Sequence, residues 1–156
     1  MEYLYIETSI ISYLVARPSN NLISAARQKI TYDWWDTERN KYNIFISELV
    51  LAECSRGDER AAKLRINVAK EIPVLKITKE CIELAELFFR KALLPEKARD
   101  DALHVAIATH YQMDFLLTWN CRHLANAHFI RKLQKISFDE GLVVPTICTP
   151  EEIINE

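Results

Sequence analysis

Two glycines in 156 residues, Gly57 and Gly141, narrow the folds open to this chain more than any other feature. Average usage of about 7% would supply roughly eleven. Tight hairpins of the primed types need residues at positive φ, so this scarcity argues against a many-stranded antiparallel barrel or sandwich. Gly-rich phosphate loops are excluded as well. With them go P-loop NTPases and dinucleotide-binding Rossmann domains, whose loops need glycines at fixed offsets.

Periodicity fills in what remains. Short β-rich apolar runs are predicted at 3–6, 42–46, 73–77, 115–117 and near 146–148. Between them lie helical patterns: a short one through Ile10, Ile11 and Leu14, then 22–40, 48–57, 58–72, 78–94, 98–111 and 121–135. Thr8 or Ser9 is the expected cap of the first helix, Ser47 of the third and Thr78 of the fifth. Strands separated by long helical stretches predict an α/β fold, a central, mostly parallel sheet of four to five strands with helices on both faces. At 49% hydrophobic and 27% charged residues the chain has the composition of one ordinary domain, expected to span 1–156. Ligands of such sheets bind where strands hand over to helices at the carboxyl edge.

A net charge of −2 gives no overall basic field, so any contact with nucleic acid rests on local Lys/Arg patches or bound cations. Cys54, Cys81, Cys121 and Cys148 are spaced 27 to 40 residues apart without a metal-type pairing and read as reduced thiols. The opening MEYLYIETSIISYL lacks a basic segment before its apolar residues, and no apolar run approaches a membrane span, so a cytoplasmic protein without a membrane partner is expected.

Carboxylates recur at the expected carboxyl edge. Glu7 ends the first strand, Glu53 follows the second by six residues beyond Ser47, and Asp100 and Asp101 open the helix before the fourth. Several acids at one mouth repel each other unless a cation is present. Hard oxygen donors suit Mg²⁺ or Mn²⁺, which can activate water and steady displacement at a phosphodiester. Each acid also has a structural alternative. Glu7 alone could be a turn residue, and Asp100 and Asp101 could serve only the helix N-terminus. Glu53 is harder to explain that way, since it follows Leu49–Ala52 in an apolar stretch, where an unpaired carboxylate is costly. Helical spacing favours Asp101 as the inward acid and leaves Asp100 solvated or in support.

Four motifs in order, YIETSIISYL, SELVLAECSRGD, RDDALHVAIA and DFLLTWNCRHL, resemble the PIN-domain family, and within it the VapC-type toxins of toxin–antitoxin pairs. The resemblance implies a three-layer α/β/α sandwich and a Mg²⁺- or Mn²⁺-dependent endoribonuclease, commonly a homodimer inhibited by an antitoxin protein. It places the family's acids on Glu7, Glu53 and Asp101 as metal ligands, and a fourth catalytic position on Asn120 after Thr118. Glu7 stands where the family ordinarily has Asp, and His123 stands where many relatives carry a further acid.

Thr8, Ser9, Asp100, Thr118 and His123 are candidates for supporting the ligands, with helix capping as the alternative for Thr8 and Ser9. His104, inside an apolar helix, reads as a core or partner-facing histidine rather than a ligand. Among the cations Arg17, Arg27, Arg56, Arg60, Lys97, Arg99 and Arg122, Arg56 and Arg122 are the first choices for RNA phosphates because they directly follow site motifs. Trp119, between Thr118 and Asn120, is the candidate for stacking on an unpaired base, and only one of Trp34 and Trp35 can point inward. Ile10, Ile11, Tyr13 and Leu14 form either core or a docking ridge. A catalytically weak scaffold that binds RNA or a protein partner is the rival to the nuclease, and a receiver-like phosphotransfer module is disfavoured because it lacks a suitably placed Lys.

Overall fold

The computed structural model describes residues 1–154; residues 155 and 156 of the expected domain lie outside the described ones. Five strands, β1 (Tyr3–Ile6), β2 (Asn43–Ser47), β3 (Val74–Leu75), β4 (Phe115–Leu117) and β5 (Thr146–Cys148), form one sheet in the order β3-β2-β1-β4-β5. All four pairings are parallel. The helices are α1 (Thr8–Val15), α2 (Leu22–Thr37), α3 (Glu48–Cys54), α4 (Glu59–Ala69), α5 (Lys79–Lys91), α6 (Arg99–His110) and α7 (Ala127–Glu140). The α/β class and the alternation of strands and helices agree with the sequence reading.

Parallel strands covered by helices are buried on both faces, and β1 shows it: Leu4, Tyr5 and Ile6 are fully buried. The core continues through Ile10, Ile11, Ile46, Phe88, Ile107, Leu116 and Leu117, so Ile10 and Ile11 of the apolar ridge are core residues. Trp34 is fully buried and Trp35 only partly, as expected for adjacent positions on one helix. Cys54, Cys81 and Cys148 are buried free thiols, and burial pushes Cys54 to about 11 and Cys148 to about 12, which makes both poor nucleophiles.

Chain order decides where ligands can sit. From β1 the chain moves outward through β2 to β3, then returns to the other side of β1 for β4 and β5. Loops leaving β1 and β4 therefore diverge to opposite faces, and the crevice between them is the switch point at which such sheets bind ligands.

Two starts differ from expectation. The cap of α1 is Glu7, whose carboxylate accepts from the Ser9 N–H, rather than Thr8 or Ser9. The last long helix begins only at Ala127, capped by Asn126. Residues 118–125 instead wrap around Thr118 and Asn120: the Thr118 hydroxyl accepts from the Asn120 N–H, Asn120 Oδ1 from the His123 N–H, and the Asn120 carbonyl from Leu124 and Ala125. Short polar side chains that bond nearby backbone in this way compete with helix formation.

Both glycines take left-handed backbone, Gly57 after α3 at φ +81° and Gly141 as the C-cap of α7 at φ +64°. A Cβ at Gly141 meets nothing within 4 Å, so Gly141→Ala isolates the backbone strain. It should cost about 1–2 kcal/mol, read as a lower thermal midpoint, and an unchanged midpoint would refute that assignment.

Candidate active site

Glu7 stands at the carboxyl end of the central strand, held by its own N–H on the Leu117 carbonyl at 3.0 Å. Its side chain is 7% exposed. One oxygen, Oε1, accepts from the Ser9 N–H at 3.1 Å, the Ser9 hydroxyl at 2.5 Å and the Thr118 hydroxyl at 2.7 Å. The Thr8-Ser9 turn and the end of β4 thus grip the same atom. This also places the carboxylate at the N-terminus of α1, where the helix dipole favours negative charge.

Glu53 approaches from α3, which starts at the Ser47 cap directly beyond β2. Its Oε1 accepts from the Thr8 hydroxyl and from His104 Nε2, both at 2.6 Å. Asp101 arrives in the first turn of α6, and its Oδ1 accepts from Asn120 Nδ2 at 3.2 Å. Every acid therefore has one oxygen committed. Glu7 Oε2, Glu53 Oε2 and Asp101 Oδ2 have no protein partner among the described residues, and none is sealed from solvent, since the one buried polar side-chain atom without a partner there is Trp34 Nε1. Open carboxylate oxygens are the hard donors that divalent cations such as Mg²⁺ and Mn²⁺ take.

Electrostatics point the same way. Burial first, then the charges of Glu7, Glu53 and Asp100, push Asp101 up to about 6 from an ordinary 3.8, against the pull of His104. Burial also opposes ionisation of Glu53, but the His104 hydrogen bond and charge, the Thr8 hydroxyl and Arg56 draw its carboxyl below the usual value. Burial resists charging His104, and Glu53 more than offsets that, leaving the ring above its ordinary value. One acid held ionised and another reluctant to ionise is how carboxylates behave when positive charge is in short supply.

The sequence model of the PIN domain matches residues 4–143. The chain belongs to the PIN-domain family. Its fold is similar to that of VapC20 of Mycobacterium tuberculosis, a sarcin-ricin loop cleaving toxin, with a TM-score of 0.60, 18% identity, and coverage of 77% of this chain and 92% of that one. It is likewise similar to a chain of VapBC2 from Rickettsia felis, solved bound to a DNA fragment from the promoter, with a TM-score of 0.60, 13% identity, and coverage of 94% and 98%. No curated protein matches the sequence.

In this PIN domain the residues singled out in the sequence fall into three groups. Glu7, Glu53, Asp101, Thr8, Ser9, Thr118 and Asn120 come together at the switch point through the bonds above. Asn120 acts on the site through Asp101, with its amide oxygen already taken by the His123 N–H. His123 contributes that backbone N–H, and its ring, lowered by burial and by Lys97 and Arg122, carries no bond to an acid. Arg56, Arg122 and Asp100 are exposed at the rim, with Arg56 Nη1 3.8 Å from Asp100 Oδ2. Arg17 and Arg60 line a cleft of about 520 Å³ between α1 and α4, whereas Arg99 is engaged with Glu86 and Glu96 and lies over Phe89.

Trp119 is a correction. It offers no free face to a base: the indole is 6% exposed, its Nε1 donates to Thr31 Oγ1 at 2.7 Å, Tyr13 packs edge-on, and the Arg27 guanidinium lies 5.3 Å from the ring centre. Its backbone N–H holds Ser9 Oγ at 2.8 Å, so the residue braces the turn beside Glu7. His104 is the residue whose importance sequence reasoning missed. It is fully buried, as a core histidine should be, yet its ring contacts Glu53 directly, and among the described residues ligand-type atoms of Glu7, Glu53 and His104 lie within 4.8 Å of one another. Both ring nitrogens are hydrogen-bonded, Nδ1 to the Tyr5 hydroxyl at 2.6 Å, so the ring supports Glu53 rather than offering a lone pair. Its place one turn after Asp101, on the same inward stripe, was the available signal.

Because the folded state keeps the Asp101 proton to higher pH than the unfolded chain does, folding stability falls as pH rises from about 4 to about 6. In EDTA, Asp101→Asn should melt above the parent at pH 7.5 and lose that advantage as the pH falls through about 6 to below 3.8, where the parent's aspartate is neutral in the folded and the unfolded state alike. A parent that melts higher at pH 7.5 would refute the strain assigned to Asp101.

Proposed function

We propose that this chain is a Mg²⁺- or Mn²⁺-dependent endoribonuclease that hydrolyses RNA phosphodiester bonds, the toxin of a type II toxin–antitoxin pair. The observation that supports it most strongly is the convergence of Glu7, Glu53 and Asp101 at the switch point, each with one oxygen fixed by the protein and one open. PIN-family membership and the likeness in fold to VapC20, itself a sarcin-ricin loop cleaving toxin, favour RNA over other phosphodiesters.

Glu7 and Glu53 would hold the cation, with Asp101, outside their cluster, supporting it. Such a cation supplies water activation and neutralises charge on the phosphoryl group. Ser9 and Thr118 aim Glu7, Thr8 and His104 aim Glu53, and Asn120 aims Asp101. Arg56 and Arg122 at the rim, with Arg17 and Arg60 in the neighbouring cleft, meet the flanking phosphates. No helix among the described residues is long and apolar enough to cross a membrane, which agrees with a cytoplasmic toxin. VapBC2 supports a small antitoxin protein as partner, and a homodimer is the natural oligomer for such a chain.

Cleavage of single-stranded and structured RNA, assayed with Mg²⁺, Mn²⁺ or EDTA, tests the proposal. EDTA should abolish cutting, and Glu53→Gln and Asp101→Asn should each lower it at least about a hundredfold. Equal cutting by Asp101→Asn would overturn the assignment. A well-folded parent that binds RNA without cutting it would favour the scaffold reading, which Glu7 and Asn120 in place of aspartates motivate.

A further inference from the structure

We propose that Tyr5 and His104 form a buried positioning relay that presents Glu53 to the cation, with His104 Nε2–H pinning one carboxylate oxygen so that only the other is offered. This rests on the reading of Glu53 as a metal ligand.

The relay is a continuous chain of short contacts through the core. Ser47 Oγ lies 2.8 Å from the Tyr5 hydroxyl, that hydroxyl 2.6 Å from His104 Nδ1, and His104 Nε2 2.6 Å from Glu53 Oε1. Tyr5, Ser47 and His104 are all fully buried. Packing alone gives no reason for this. Phe at position 5 and an aliphatic residue at 104 would fill the same apolar space between β1 and α6, whereas a hydroxyl and an imidazole must each find partners there or pay for desolvation.

What the polar groups do is set direction. An ionised carboxylate can only accept, so the proton between His104 and Glu53 belongs to Nε2 whether the ring is neutral or charged. Tyr5 occupies the other nitrogen and so keeps the ring from turning. Thr8 donates to the same Oε1 at 2.6 Å from a different element. Two donors from α1 and α6 saturate Oε1, and Oε2 is left without a protein partner among the described residues. An outer residue that orients a ligand in this way commonly changes metal affinity tenfold to a hundredfold when removed.

The test is Mn²⁺ titration calorimetry on the full chain without RNA, with thermal unfolding measured on the same samples. In His104→Gln the side-chain amide reaches to where Nε2 stood and can still donate to Glu53. In His104→Asn it stops near Nδ1, keeping the Tyr5 contact and losing the carboxylate. Mn²⁺ affinity should fall about tenfold or more in His104→Asn and stay within about threefold in His104→Gln. Tyr5→Phe, which keeps the ring in the core, should fall between them. A role confined to packing moves Gln and Asn alike, so equal weakening in the two overturns the relay, as does Mn²⁺ binding at parental strength by Tyr5→Phe. Parental binding by Glu53→Gln would instead overturn the metal-ligand reading beneath it.

Discussion

Mutual repulsion among three carboxylates is the constraint around which the rest of the structure is arranged. Glu7, Glu53 and Asp101 meet at the carboxyl edge of the sheet, where water is partly excluded and like charges interact strongly. Each is restrained by its own donors: Ser9 and Thr118 on Glu7, Thr8 and His104 on Glu53, Asn120 on Asp101. The price shows at Asp101, whose proton is held to about pH 6. A cation bound among these side chains would relieve that repulsion, so its binding and the stability of the fold would be coupled through them.

The turn Glu7-Thr8-Ser9 ties these demands together. Glu7 is at once strand terminus, helix cap and ligand candidate, and the two hydroxyls after it reach different acids. Its extra methylene relative to Asp lets the carboxylate fold back onto the Ser9 N–H and hydroxyl while keeping an oxygen open. The longer side chain is thus accommodated by the turn itself.

Much of this was legible in the sequence, and the failures have two kinds of cause, one local and one long-range. The bounds of β1, β4 and β5, the caps Ser47 and Thr78, and the inward choice of Asp101 over Asp100 follow from local pattern, because a buried parallel strand or an amphipathic face leaves a periodic trace. The capping by Glu7 was hidden because a carboxylate before Thr-Ser looks like a strand end beside two better-known cap formers. The late start of α7 was hidden because the competing bonds at Thr118 and Asn120 are specific to that turn. Trp119 was misjudged, and the link from the core residue His104 to Glu53 was missed, for a longer-range reason. Trp119 is buried by Thr31 and Tyr13, and His104 is joined to Tyr5, Ser47 and Glu53, partners brought close only by the order of strands.

That strand order has a further consequence for how the protein comes into being. The acids at positions 7, 53 and 101 have all left the ribosome before residues 115–117, yet β4 pairs with β1 and Thr118 completes the grip on Glu7 only after those residues emerge. A growing chain thus carries every acid of its site while lacking the strand that assembles it. If these acids cut RNA, the growing polypeptide is harmless until β4 and Thr118 have emerged, and strand order alone sets that delay.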